Sequence, residues 1–488
     1  MIPANVNILE YVRSKGLFVP AHCSGAGVCG KCVVRLAAGR LDVTPEDKAL
    51  LTSEQIESGM RLACRAVTKA PVRIEIPDRP LQYNTADKQW QQADKSHTFG
   101  IAADIGTTTV AVSLVDITDR RPVRTVTVTN SGAAYGADVI TRIGSSLSGS
   151  SQDIKTAMQK DISSALTQLG CEGLTVTKMS IAANTAMYHL LLGLECTGLA
   201  RAPFAPRTLG GQTVTLGKLL GDALPYTQLA DMPVTLIKGI SAFIGGDITS
   251  GLACSLDEGS TLFLDLGTNG EAALFSKGGL VCASAAAGPA LEGGELSCGM
   301  GGVSGAVCKV YDLDGSLHFD TIDNAPPAGI CGSGAIDALA YCVSKGFIDK
   351  QGVFLDSLFK SGLCLTENVS LTQQDVRELQ LAKAAIRACL DTLIASTHTS
   401  CEDIDRLLIA GGFGHYTDIK SACTIGLIPP SLKSKAVTPG NTSLKGAQLS
   451  LYDEGFFERL DDLTDKAKVL PLSEDEDFKK RFIDNLSF

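Results

Sequence analysis

The sequence is short of aromatic residues and of positive charge. Its 488 residues include one tryptophan and six histidines, with 43 Lys and Arg against 53 Asp and Glu, a net charge of −10. Nucleic-acid binding depends on basic patches that neutralise phosphates, so this balance argues against it. No run approaches ~18 consecutive apolar residues, the length a membrane-spanning helix needs, so no membrane association is predicted. The opening MIPANVNILEYV has neither the charged start nor the apolar core of a secretory signal. The expectation is a soluble cytoplasmic protein. The histidines form no metal-binding pair, and no histidine site is predicted. Hydrophobic residues at 44% and charged residues at 20% are an ordinary globular balance. The length calls for two or more domains.

What the sequence does have is cysteine, 16 in all. Most are scattered and read as small buried hydrophobes. Four are not: Cys23-x5-Cys29-x2-Cys32, then Cys64 after 31 more residues. Structural zinc sites usually carry two Cys-x2-Cys pairs, and this pattern has one pair with two singles. The glycines among them let the backbone wrap closely around an inorganic core, with N–H groups aimed at sulfide. Three ligands in one loop and a distant fourth are similar to a [2Fe–2S] ferredoxin with the adrenodoxin-type first gap. Gly25-x4-Gly30-Lys31-Cys32 imitates a phosphate-binding loop, but Cys stands where Ser or Thr should hold magnesium. That reading is rejected.

Composition divides the chain. Residues 1–76 end in the alternating Val72-Arg73-Ile74-Glu75-Ile76, a half-buried strand, and are read as the ferredoxin-type domain. Asn7 to Lys15 already reads as the helix before the cluster loop, so the first hairpin of a β-grasp fold is expected either to be missing or to be encoded upstream of this start. Residues 77–98, polar and without period, read as a linker and contain Trp90. From residue 99 a pattern is written twice. FGIAA leads into Asp104-Ile105-Gly106-Thr107-Thr108-Thr109, then VAVSLV and, after a polar turn, VRTVTVT. TLFL leads into Asp265-Leu266-Gly267-Thr268-Asn269-Gly270, then EAALF, a turn and LVCA. Two related lobes follow, about 99–255 and 256–488, each opening with three antiparallel strands. Helices are predicted from 152 to 169 and from a cap at Thr372 with Asp375.

The turns carry the chemistry. Gly106 and Gly267 permit tight turns whose N–H groups face phosphate oxygens, and Thr107, Thr108, Thr268 and Asn269 add donors. Asp104 and Asp265 suit a hydrated Mg2+ or a water to be activated. Asp247 and Glu271 are further candidates for activating water. One Asp-x-Gly-Thr turn alone is weak evidence; two in the same strand context, 161 residues apart, are much stronger. Asn184-Thr185-Ala186-Met187 reads as either a phosphate contact or a helix cap. Asp138 and Arg142 read as a helical ion pair, and Cys282 through Gly293 as an interlobe loop.

With Gly332-Ser333-Gly334 and Ala410-Gly411-Gly412-Phe413-Gly414, the two turns resemble the phosphate and adenosine motifs of the actin, Hsp70 and sugar-kinase superfamily. The resemblance implies an α/β fold: a two-lobed actin-like ATPase with ribonuclease H-like lobes behind a small α+β ferredoxin domain. It implies ATP and Mg2+, with Asn441-x2-Leu444-x-Gly446-Ala447 as a connecting helix. YGADVITRI, NTAMYHLLLG, AAAGPALEGGELSCGM and GICGSGAIDAL narrow the resemblance to the reductive activators of corrinoid proteins. That implies ATP-driven transfer of an electron from the cluster to an inactive Co(II) corrinoid protein, restoring Co(I). The partners implied are that protein and a low-potential electron donor; a homodimer is left open. Two other readings keep the parts: an activator of a 2-hydroxyacyl-CoA dehydratase, and a redox-sensing regulator that delivers no electron.

Overall fold

The computed structural model describes residues 1–15, 17, 19, 21, 25, 27, 30, 32–76, 93–136, 138–255, 259–276, 279–411 and 416–488. Cys23, Cys29, Trp90, Gly412, Phe413, Gly414 and most of the linker lie outside the described residues. The chain divides into two compact units. One holds residues 1–179, 185–208 and 213–234; the other holds 180–184, 209–212 and 235–488.

At the N-terminal end, Asn7 caps the helix Ile8–Ser14 by accepting from the Glu10 amide. This spares one of the N–H groups that a helix start leaves unpaired. The helix buries Ile8, Leu9 and Val12 with Val34, Leu62 and Val72 of a three-stranded antiparallel sheet. That sheet runs Met60–Leu62, Val33–Ala38, Arg73–Glu75. Ahead of the helix, Ile2 and Asn7 make only isolated bridges, to Val72 and Val67.

Two six-stranded sheets among the described residues carry the rest. The first has the order Arg121–Thr129, Thr109–Asp116, Thr98–Ile105, Thr175–Ala183, Pro233–Leu236, Thr213–Thr215. The second has the order Ala436–Gly440, Arg406–Ala410, Thr261–Leu266, Asn269–Ser276, Gly279–Ala286, Lys468–Val469. In both, the strand that leads into the Asp-x-Gly-Thr turn is central and its hairpin lies to one side. Thr261–Leu266 pairs in parallel with Arg406–Ala410 on the other. Central strands are covered on both faces, which is why FGIAA and TLFL read as continuous apolar runs rather than as alternations.

The predicted helices form as Ser151–Leu169 and Gln373–Ser396. The first buries Ile154, Met158, Ile162, Ala165, Leu166 and Leu169, the face its spacing prescribes. In the second, Thr372 and Asp375 cap each other reciprocally. Helices Gly246–Ser255 and Thr442–Leu449 approach closely where both have glycine. A Cβ on Gly251 would lie 2.7 Å from Thr442 Oγ1, and one on Gly446 would overlap the Ser250 carbonyl.

Residues 282–293 are not simply a loop. Cys282 through Ala286 belong to the strand Gly279–Ala286, with Cys282 opposite Ala273 and both fully buried. Small residues that look loop-like in sequence are here what fits beneath a packed layer. Among the described residues, no helix is long and apolar enough to cross a membrane.

Candidate functional site

Cys32 enters the strand Val33–Ala38 and Cys64 leaves the strand Met60–Leu62, so the pairing of those two strands brings the cysteines together. Both are buried, and their Sγ atoms lie 3.2 Å apart. The Cys32 thiol is lowered to about 7, first by its hydrogen bond with Cys64 and further by backbone N–H groups of Cys64, Cys32 and Ala63. Amides aimed at sulfur favour thiolate, the form that ligates metal. Gly25, at φ +95°, sits with its missing Cβ 3.8 Å from that of Cys64. This left-handed glycine therefore lies in contact with Cys64. The donors present fit an iron–sulfur cluster.

Asp104 and Asp265 occupy the same place in their sheets. Each is the one half-buried position near the end of an otherwise buried central strand. Each turn is closed by its glycine: Gly106 N donates to Thr109 O at 2.9 Å, and Gly267 N to Asn269 O at 3.0 Å. Gly106, Thr107, Thr108, Gly267, Thr268 and Asn269 are all half-buried, so their donors reach a surface.

The groups behind the turns differ. Behind the first, buried Asn130 donates from Nδ2 to Gly106 O at 2.7 Å, and fully buried Arg142 donates from Nη2 to Thr107 O at 2.8 Å. Arg142 Nε holds Gly136 O at 3.0 Å, and both side chains reach Met187 Sδ. Asp138, expected to pair with Arg142, instead caps the helix Val139–Ser145 by accepting from Thr141 N at 2.8 Å. Buried carbonyls outbid the local i,i+4 rule, because unpaired acceptors away from water cost more than a surface ion pair gains.

Behind the second turn the groups are acidic. Glu292 accepts from Thr268 Oγ1 at 3.0 Å. Glu271 stands directly opposite Asp265 in the ladder, and burial first, then the charges on Asp265 and Asp247, push its carboxyl well above the ordinary value. The Asp265–Glu271 pair is one whose repulsion a hydrated cation would relieve. Gly411, at φ +93°, lies where a Cβ would come 2.5 Å from Leu266 O and 2.7 Å from Asp265 Oδ1. Only glycine lets the end of the strand Arg406–Ala410 press on this turn. Gly332 and Ser333 begin the helix Gly332–Ser344, where the Ser333 hydroxyl donates to Cys308 O at 2.9 Å. No ligand contact is needed to explain that hydroxyl.

Comparisons with known proteins cover nearly the whole length. Residues 1–69 match the 2Fe-2S iron-sulfur cluster binding domain, 99–258 the RACo middle region, and 259–488 the C-terminal domain of RACo, the ASKHA domain. RACo-type domains thus account for residues 99–488. It is similar to the corrinoid activation enzyme RamQ of Eubacterium limosum, 34% identical over 388 residues that cover 73% of this chain and 64% of that one. It is also similar to the Co(II) methylated amine-specific corrinoid protein reductase of Methanosarcina barkeri, 27% identical over 427 residues covering 80% and 77%. A solved structure, the reductive activator for corrinoid, iron-sulfur protein, aligns with a TM-score of 0.72 at 28% identity, over 100% of this chain and 96% of that one. The chain thus spans less than two thirds of the length of RamQ.

Sequence reasoning missed three residues that brace the two turns: Asn130, Arg142 and Glu292. Arg142 had a signal, a cation in the apolar run Val139-Ile140-Thr141-Arg142-Ile143 beside a glycine-rich stretch. Glu292 had a weaker one, a lone carboxylate between Pro289 and the pair Gly293-Gly294. His189, by contrast, is a structural histidine: Nδ1 faces Thr185 O at 2.8 Å, and Nε2 accepts from Arg207 N at 2.9 Å.

Proposed function

We propose that this chain is an ATP-dependent reductive activator of a corrinoid protein. One electron leaves its [2Fe–2S] cluster and one cobalt goes from Co(II) to Co(I), while an external low-potential donor restores the reduced cluster. The observation that carries this reading is the union in one chain of a buried Cys32–Cys64 pair, its Sγ atoms 3.2 Å apart, with a twice-written phosphate turn.

Energetics explain the need for the union. Ferredoxin-type clusters sit near about −400 mV, and each further 100 mV needed by an acceptor costs about 2.3 kcal/mol per electron. A nucleotide closes such a gap only by binding two states of the activator differently. In this reading Thr107 and Thr108 on the first turn, and Thr268 and Asn269 on the second, face phosphate oxygens, while Gly106 and Gly267 close the two turns. Gly411 to Gly414 back the adenosine. At the second turn Asp265 and Asp247, with Glu271 opposite Asp265, would hold a hydrated Mg2+, and at the first turn Asp104 would orient a water. Cys32 and Cys64, with Cys23 and Cys29, hold the cluster.

The test is anaerobic visible spectroscopy of the full chain with a Co(II) corrinoid protein and a low-potential reductant, with and without Mg-ATP. A Co(I) band that grows only with ATP supports the reading. It is expected to vanish in Asp104→Ala with the cluster spectrum intact, and in Cys64→Ser with the cluster spectrum lost. Co(I) growing equally without ATP would refute it.

A further inference from the structure

Arg13 joins two places that the proposed function leaves separate. It lies on the helix Ile8–Ser14, which is pinned beside Cys64: Leu9 N donates to Ala63 O at 3.1 Å and the N-cap Asn7 donates from Nδ2 to Cys64 O at 2.9 Å. Its guanidinium also leaves the ferredoxin-type domain. It lies 4.9 Å over the ring of Tyr135, and Nη2 donates to the Ala134 carbonyl. Its Nε is buried and has no hydrogen-bond partner among the described residues. A buried N–H without a partner is rare and costly in a native protein, so it calls for an acceptor. Sulfur of a cluster held by the neighbouring cysteines is an acceptor of the right kind.

Ala134 and Tyr135 end a short turn of 3-10 helix, Ser131–Tyr135, that is fixed to the first phosphate turn at both ends. At its start, Asn130 accepts from Gly132 N at 3.0 Å while donating to Gly106 O. At its end, Arg142 holds Gly136 O and Thr107 O with one guanidinium. Asp161 clamps Ser131 through both N and Oγ at 2.7 Å each. A shift of the Gly106 and Thr107 carbonyls therefore moves the seat of Arg13. The route is continuous and lies within one compact unit.

We propose that Arg13 is a positioning residue that couples nucleotide at the first phosphate turn to the redox poise of the iron–sulfur cluster. The proposal rests on the function above only in requiring a cluster and a nucleotide; it makes no use of the acceptor. A reduced cluster carries one more negative charge, so a nearby cation and an N–H to sulfur favour reduction. Drawing Arg13 away lowers the potential and makes the electron easier to give up. By reciprocity, whatever nucleotide does to the cluster's potential, reduction does to nucleotide affinity by the same factor.

The test titrates the cluster of the full chain by spectroelectrochemistry with and without Mg-AMP-PNP, and measures the affinity of Mg-AMP-PNP for oxidised and reduced protein. The expected result is that the analogue lowers the midpoint potential and binds the reduced form about tenfold more weakly, equivalent to about 59 mV for one electron. Arg13→Gln is expected to start at a lower potential and to lose most of the nucleotide-dependent shift. Tyr135→Ala, which leaves the charge in place, is expected to start near the parent potential and still lose the shift. Parent-like potential and shift in Arg13→Gln would overturn the proposal, as would equal affinity of the parent protein for the analogue in both oxidation states. Failure of the parent protein to form a cluster or bind the analogue would sink the function itself, and the coupling with it.

Discussion

Asp104–Thr109 and Asp265–Gly270 are nearly the same words in the same strand context, yet the protein supports them with opposite chemistry. Opposite Asp104 in its ladder stands Ala111; opposite Asp265 stands Glu271. The first turn is held from behind by donors, Asn130 and Arg142, that grip its carbonyls. The second has carboxylates around it, Glu292 on its threonine and Glu271 and Asp247 beside its aspartate. A turn braced at its carbonyls is mechanically tied to whatever braces it. A turn ringed by acids is a place to put a cation. The repeated motif is thus supported in two different ways, and in the proposed reading the acids beside the second turn would suit a hydrated Mg2+.

The comparison can be broken most severely at Arg142. Arg142→Met should leave two buried carbonyls without their donor and destabilise the unit by about 3 kcal/mol, read as a lower denaturant midpoint with nucleotide binding lost. A smaller, more specific effect is expected at the second turn. Glu271→Gln should weaken Mg2+-dependent nucleotide binding by roughly 10- to 100-fold while hardly changing the fold. Here the sign with pH is definite. Glu271 titrates higher folded than unfolded, so folding takes up a proton and the metal-free protein loses stability as pH rises above the ordinary carboxyl range. Mg2+ binding should release that proton and tighten with pH. Glu271→Gln should flatten both trends, measured by thermal melts and calorimetry in buffers of different ionisation heat.

Glu292→Gln should be milder still, about 1 kcal/mol or less, because an amide oxygen can still accept from Thr268. It should appear as a few-fold rise in nucleotide Kd without a change in melting temperature. The smallest effect belongs to a site outside both turns. His97, raised by its hydrogen bond to Asp116, adds stability that is present below its unfolded value and is lost as pH rises through the folded one. His97→Gln should lower the melting temperature slightly at pH 6 and leave it unchanged at pH 9.

Where the sequence was legible, local rules and tertiary structure agree. The alternating and apolar strands, the helix face from Ile154 to Leu169 and the Thr372 cap all follow from periodicity or capping chemistry, which neighbours in sequence decide. The paired turns were legible because each carries its own glycine and aspartate. What was not legible is what lies behind them. Arg142 was assigned to Asp138 because they are four apart, whereas its partners, Thr107 and Gly136, are set by how a helix packs on a turn. The segment after Cys282 looked like a loop because Ala, Ser and Gly mark loops by composition, but the ladder with Asn269–Ser276 makes its first part a strand. Cys32 and Cys64 lie together in the fold. Cys23, Cys29 and Gly412 to Gly414 remain expectations from spacing alone.

The central claim is that ATP drives one electron from this chain's cluster to cobalt. It is tested most directly in a single turnover. The full chain, its cluster reduced and freed of excess reductant, is mixed anaerobically with a Co(II) corrinoid protein, and cluster and Co(I) are followed together by spectroscopy. The account predicts that, with Mg-ATP, one Co(I) appears for each cluster oxidised, and that without it both signals stay still. Cluster oxidation without Co(I), or equal Co(I) with and without ATP, would contradict it.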